Sequence, residues 1–522
     1  MQYQQTTNWL PNDTVSLLLS LAALSVVYFA ITSAYNAYFG PLSKFPGPKL
    51  NAITILPAMV TTYTGQDSVD VPALHAKYGP VVRTSPNHLS YTGAAAFKEI
   101  YGFGKKGLYK DPQFYGRPLN KIDSLITADD AGHSRQRKIL SHAFSDRALK
   151  EQEPLLKHWV ELMKEKMLET AKAGKKADLL KFYNCTTFVS IAFDGGDLKA
   201  SECLSHRSIC QFVVTKTDQK QDIMGDLSFA ESLGMLEGSD YSPWVKVIFQ
   251  GIKTGTRLRT MKMLSKFTNY LMEEWVFKSE AVRAKQYEHW NYSKDRVNRR
   301  LARSPDRPDL WTKILEKGAP DDADGLSLGE HHSTGSLFML AGTETTATAL
   351  SGTTYHLLMN PDKLDLLQRE IRSAFTSLDD LTLESLARQK YLMAVLQEGL
   401  RMYPPVPSTL PRRVPAGGAE ICGEWVPEGT TVGVHHLSTY RDPDFFKDPY
   451  EFHPERWLGD PEFKDDKLSA LEPFSVGPRN CIGKVSFRSE MKVQRRELFW
   501  LTWNLSKHRT LLGMKCVFSS RL

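Results

Sequence analysis

Phe474-Ser475-Val476-Gly477-Pro478-Arg479-Asn480-Cys481-Ile482-Gly483, written FSVGPRNCIG, decides the reading of this 522-residue chain. It sets Phe474, Gly477, Arg479, Cys481 and Gly483 at the spacing F-x-x-G-x-R-x-C-x-G. Five specified residue types at fixed spacing arise by chance about once in ten million start positions at ordinary residue frequencies. The other cysteines, Cys185, Cys203, Cys210, Cys422 and Cys516, have no such surroundings and read as small buried hydrophobes. With no C-x-x-C pair and no secreted-scaffold spacing, all six read as reduced and cytosol-facing.

Cys481 is set up to act as a thiolate. A turn that glycine permits, and a helix expected to begin just after Cys481, supply donors for negative charge on sulfur. Glycine lets the backbone approach a flat cofactor closely. Phe474 is expected to cover the sulfur, and Arg479 to pair with a cofactor carboxylate. These roles suit haem iron, because thiolate donation lets haem iron cleave dioxygen. On this loop the sequence resembles the cytochrome P450 superfamily over roughly residues 40 to 484, and the family's other motifs follow in their usual order.

Residues 333–358, STGSLFMLAGTETTATALSGTTYHLL, form an apolar helical run interrupted at Ala341-Gly342-Thr343-Glu344-Thr345-Thr346. Gly and Thr weaken a helix interior, so packing alone does not favour them there. By resemblance this is the oxygen-binding helix: Gly342 makes room for dioxygen, while Glu344 and Thr345 relay protons. The bland alternative is a buried Thr-rich helix whose hydroxyls bond back to their own carbonyls. Glu398 and Arg401 stand three apart in LQEGLRM, on one helical face. Arg456 in FHPERW then completes the Glu-Arg-Arg network that the resemblance assigns to bracing the haem region. His133 and Arg137 in GHSRQRK take the family's W-x-x-x-R positions, with His for Trp. Arg413, directly before Val414, matches the arginine that opens the sheet segment. Together with Arg479, the resemblance makes these the partners of the haem propionates. The stretch DDAGHSRQRKILSHAFSDRALKEQEPLL is similar to filamentous-fungal members of the isotrichodermin C-15 hydroxylase-like group of secondary metabolism.

Composition is ordinary for a globular protein, with 41% hydrophobic and 24% charged residues. The net charge of +7 is interleaved along the chain, which gives a nucleic-acid partner little support and suits an anionic membrane or acidic protein. No charged residue lies between Asp13 and Lys44, and Val15–Ala34 reads VSLLLSLAALSVVYFAITSA. Twenty residues at about 1.5 Å each span the roughly 30 Å hydrocarbon core. No Lys or Arg precedes the run, against a signal peptide, and Lys44 and Lys49 follow it, placing the body on the cytosolic side. The expected organisation is a luminal segment 1–14 with an Asn12 sequon, a transmembrane anchor 15–35, a Pro-rich hinge 36–50 (with FPGPK), and a catalytic domain 51–522. Two short strands are expected within 78–92, helices over 145–290, and strands again at 408–436. The fold class is mainly α with a small β region, by resemblance the cytochrome P450 fold behind one transmembrane helix.

The tail departs from the pattern. Only 41 residues follow Cys481, Phe487 stands where a small residue packs beneath the haem, and Gln494-Arg495-Arg496 breaks an apolar face. Val485-Ser486 can be encoded by GTAAGT, so a retained intron is one reading of residues 485–522. The resemblance implies an endoplasmic-reticulum monooxygenase with haem b on a cysteine thiolate, O2, and a lipophilic small-molecule substrate such as a terpenoid or polyketide. No flavin domain is expected in the tail, so electrons are expected from NADPH–cytochrome P450 reductase. Segments 103–128 and 205–260 are expected to select substrate. Two rivals stand beside this: a haem-thiolate isomerase or dehydratase needing no reductase, and an inactive membrane-anchored haem protein.

Overall fold

The computed structural model describes residues 12–104, 107–172, 255–257, 260–261, 264, 266–276, 278–304, 308–322, 324–376 and 380–484. Its first helix, α1 (Asn12–Ala34), runs into a short π-helix, Tyr35–Phe39. Leu17, Leu19, Leu24, Val26, Phe29 and Ile31 are all exposed on it. The hydroxyls of Ser20, Ser25 and Thr32 donate to the carbonyls of Ser16, Leu21 and Tyr28 at 2.8–2.9 Å. Such back-bonding satisfies polar groups without water, as a hydrocarbon setting demands. By length and composition, Leu19–Phe39 is a candidate membrane span, four residues further along than the sequence places it.

The stretch 36–50, expected to be a hinge, is packed instead. Ala37, Leu42 and Phe45 are buried, and the buried Arg83 donates from its amide to the Pro46 carbonyl at 2.7 Å and from Nη1 to the Asn36 carbonyl at 2.8 Å. A Cβ on Gly47 would lie 2.6 Å from the Arg83 carbonyl, so glycine is needed for this close approach. Prolines stiffen the segment, but its flexibility is removed by a sheet residue far away in sequence.

Three helices, α2 (Lys49–Ile53), α3 (Leu56–Thr64) and α4 (Asp67–Tyr78), lead into strands β1 (Val81–Ser85) and β2 (His88–Tyr91), the two expected from alternation. Helix α5 (Ala94–Tyr101) and strand β3 (Tyr109–Lys110) follow. The second expected strand region yields β4 (Arg412–Arg413), β5 (Ala419–Ile421), β6 (Glu424–Val426) and β7 (Thr431–Val434). The larger sheet has the order β1-β2-β7-β4-β3, with β2 and β7 parallel and the other pairs antiparallel. Strands β5 and β6 form a separate hairpin around Cys422 and Gly423, both at positive φ. Leu89, Tyr91, Phe97, Val432 and Val434 fill one core between the large sheet and α5.

Helices dominate the rest: α6 (Asp130–Leu140), α7 (Asp146–Glu151), α8 (Glu153–Lys172), and later Glu280–Leu301, Leu328–Met359, Pro361–Ala374 and Lys390–Met402. The 32-residue helix Leu328–Met359 is about 48 Å long. Ser327 starts it by accepting from the Glu330 amide while the Glu330 side chain accepts from the Ser327 amide, two otherwise orphaned donors satisfied at once. Its buried residues Met339, Ala347, Leu350 and Leu357 pack with Trp311, Leu392 and Val395 in the main core. Of the segment 205–260 expected to select substrate, residues 205–254 lie outside the described residues, as do the tail 485–522 and Cys185, Cys203, Cys210 and Cys516.

Candidate active site

The loop carrying Cys481 is closed by its own backbone: the Cys481 amide donates to the Phe474 carbonyl at 2.9 Å and the Asn480 amide to the Gly477 carbonyl at 3.2 Å. Ser475 and Gly477 both take positive φ to make the turn. Phe474 and Ile482 pack against the main core, to which the buried face of Leu328–Met359 also belongs. Cys481 remains exposed, yet burial pushes its thiol up, while the Gly483 amide and the Arg137 and Lys484 charges pull it down. The expected amide donor is present at Gly483, but burial outweighs it, so a metal ion is what would drive deprotonation here.

Helix α6 is capped by Asp129, whose side chain accepts from the Gly132 amide at 2.8 Å. It brings His133 and Arg137 towards the loop. Arg137 clasps Asn480, with Nη1 on its carbonyl at 2.6 Å and Nη2 on its Oδ1 at 2.7 Å. Through these two bonds Arg137 holds the cysteine loop. Arg479 gives Nη2 to Asp130 at 2.8 Å, and its buried Nη1 has no partner among the described residues. His133 is buried and lowered to about 4, by burial first and then by Arg479, Lys110 and Arg137.

Arg413 does not join this group. Its Nη2 meets both Asp111 oxygens at 2.8–2.9 Å and its Nη1 the Gly429 carbonyl at 2.9 Å. Neighbours in a strand point to opposite faces. The buried Arg412 is the one beside Tyr115, Tyr101 and Arg479, and burial pulls its guanidinium below its ordinary value. Lys110, opposite Arg412 in the sheet, is near the same cations. Sequence reading missed both Arg412 and Lys110. Adjacent arginines carry no mark of which one faces inward.

On the long helix, Ala341 is exposed and Gly342 and Thr345 are half-buried, whereas Met339, Thr346 and Ala347 face the core. The small residues thus open one stripe of the helix. The Thr345 hydroxyl donates to the Ala341 carbonyl at 2.9 Å, and that of Thr346 to the Gly342 carbonyl at 3.4 Å. Back-bonding is therefore present, but Thr345 makes its bond on the open stripe. The side chain of Glu344 lies outside the described set.

Glu398, Arg401 and Arg456 are fully buried together. Arg401 grips both Glu398 oxygens at 2.7 and 2.9 Å, and Arg456 Nε meets Oε1 at 3.2 Å. The Trp457 ring nitrogen and the His453 amide also donate to Glu398, each at 2.9 Å. Arg401 donates further to the carbonyls of Tyr440, Pro449 and Glu451. Asp466, unsignalled by sequence, pairs with Arg456 and makes the group two cations against two carboxylates. Burial pushes the Glu398 carboxyl up, but the two guanidiniums and the His453 amide leave it below its ordinary value.

The site thus joins an accessible cysteine sulfur to buried cations, at Arg412, Lys110 and the orphaned Arg479 Nη1, that lack enough negative charge. A metal-bearing ligand with anionic groups fits that set, and haem, with iron and two propionates, has this chemistry. Among the described residues no group of three or more His, Cys, Asp or Glu is placed to hold a free metal ion.

Comparisons with known proteins point the same way. Residues 46–202 and 218–495 match the family model described as Cytochrome P450, which extends past Phe487. The chain is 45% identical over 487 residues to the cytochrome P450 monooxygenase efuB of Hormonema carpetanum, covering 92% of this chain and 89% of that protein. It is 36% identical over 470 residues to the averantin hydroxylase of Dothistroma septosporum, covering 90% and 82%. To the trichothecene C-15 hydroxylase of Fusarium sporotrichioides it is 35% identical over 489 residues, covering 93% and 91%.

Proposed function

The chain belongs to the cytochrome P450 family, and on that premise we propose that it binds haem b through Cys481 and inserts one oxygen atom of O2 into a lipophilic small molecule. It is a P450 monooxygenase of fungal secondary metabolism, and a terpenoid or polyketide is the substrate class of this reading. The observation that carries the proposal is the exposed Cys481 next to Arg479, whose buried Nη1 has no partner among the described residues.

Bound there, haem with a thiolate ligand supplies the activation of dioxygen. Cys481 would bind the iron, and the Gly483 amide would offset charge on its sulfur. Arg412, Arg479 and His133 would hold the propionates. Arg412 takes the part first given to Arg413, which Asp111 occupies. Gly477 lets the loop fold, Phe474 shields its core side, and Arg137 fixes Asn480 beside the ligand. Ala341 and Gly342 leave room along the long helix. Thr345 holds a proton at its hydroxyl on that open stripe and exchanges it with Glu344 one residue away. Glu398, Arg401 and Arg456 brace the scaffold and do not touch reactants. In this reading α1 anchors the chain in the endoplasmic-reticulum membrane with the catalytic domain cytosolic, and NADPH–cytochrome P450 reductase supplies the electrons.

Membranes containing the full chain and reductase, given candidate lipophilic substrates with NADPH and isotopically labelled dioxygen, test this. The expected product carries one labelled oxygen atom and forms only with both NADPH and reductase. Conversion independent of NADPH would instead support an isomerase or dehydratase.

A further inference from the structure

Strands β3 and β4 pair so that Lys110 stands directly opposite Arg412, and Tyr109 opposite Arg413. Residues directly opposite in an antiparallel pair share a face, and like charges there are destabilising. The second pair, across from the first, is resolved: Asp111 takes Arg413 with both oxygens, and also accepts from Thr431 and the Gln113 amide. Asp130, the carboxylate that acts on Arg412, is itself engaged, accepting from Arg479 at 2.8 Å. Lys110 makes no ion pair among the described residues. Its Nζ donates to the Ile126 carbonyl at 2.9 Å and lies 4.7 Å from the Tyr115 ring centroid, while Arg412 lies 5.4 Å from the Tyr101 ring.

We propose that Lys110 is a carboxylate-binding residue of the cofactor site, holding a haem propionate together with Arg412. The inference rests on the haem reading above and adds a residue to it. A neutral methionine would give up the Ile126 bond and the charge over Tyr115, but it would not place a second cation against Arg412. An anion bridging Lys110 and Arg412 offsets the repulsion that their pairing in the sheet creates. Burial, followed by the Arg412 and Arg479 charges, lowers Lys110 to about 7, and an anion beside it would act in the opposite direction.

The test follows loss of cofactor from the full-length holoprotein to excess apomyoglobin, for wild type, Lys110→Met and Lys110→Arg. Each is charged with haem or with haem dimethyl ester, which lacks the propionate charges. Loss of a charge-assisted bond predicts that Lys110→Met releases haem about tenfold faster or more. Lys110→Arg stays within about twofold, because a cation remains. With the dimethyl ester, Lys110→Met and wild type release at equal rates. Equal release of haem from Lys110→Met and wild type overturns the proposal, and so does acceleration that persists with the ester, which marks a packing role. A wild-type chain that takes up no haem on Cys481 fails the underlying reading instead, and is recognised by the missing thiolate spectrum.

Discussion

The Tyr101 carbonyl oxygen lies 1.9 Å from where a Cβ on Gly477 would stand, so the end of α5 and the cysteine loop meet backbone to backbone. The same tyrosine donates its hydroxyl to the Leu410 carbonyl at 2.8 Å and accepts the Val434 amide at 3.0 Å. It therefore ties the loop to the sheet that carries Arg412. Gly477→Ala adds an atom there at a φ of +77, and overpacking with left-handed strain costs about 1–3 kcal/mol each. The variant is expected to keep its helical circular dichroism while most of its haem content, measured by absorbance per protein, is lost.

The Glu398 group makes a second prediction. Removing one partner from a buried ion network leaves an uncompensated charge and costs about 3–5 kcal/mol. Arg401→Met or Arg456→Met is expected to unfold well below the wild-type temperature, with Asp466→Asn showing the same direction through Arg456. Because the folded Glu398 carboxyl sits below its ordinary value, its contribution is complete above that value and is lost as pH falls through the folded one. Denaturant midpoints measured down an acid series report it.

Buried neutral histidines add a distinct pH window. His75, His88 and His436 are each lowered from 6.5 to about 4, burial being the largest cause. The unfolded chain therefore binds more protons between those values. Their contribution is full above 6.5 and is lost as pH falls towards 4. Unfolding temperature should fall across that range, and His75→Gln should flatten the slope while lowering the plateau, since His75 also bonds Ser90 at 2.7 Å.

Thr345 separates oxygen chemistry from cofactor binding. Thr345→Val removes the hydroxyl on the open stripe and keeps the helix shape. Product formed per NADPH consumed is expected to fall about tenfold or more, as for loss of an acid–base group. The thiolate spectrum should not change. An unaltered product ratio would remove Thr345 from proton handling.

Local spacing made much of this legible. The cysteine loop, the small-residue stretch at 341–346 and the Glu398-Arg401 pair are each confined to a few neighbouring residues, where sequence distance is spatial distance. What escaped depends on contacts made far along the chain. Whether Arg412 or Arg413 faces inward is decided by pairing with β3, some 300 residues earlier. Asp466 meets Arg456 through irregular backbone with no periodicity to announce it. The stretch 36–50 reads as a hinge until Arg83 is seen to hold Asn36 and Pro46.

The central claim is that Cys481 binds haem iron as a thiolate. The reduced carbon-monoxide difference spectrum of the full-length chain tests it most directly, alongside Cys481→Ser. The far-red-shifted thiolate band is expected in the wild type and absent from the variant; a haem-loaded wild type without that band, or a variant that keeps it, would contradict the assignment.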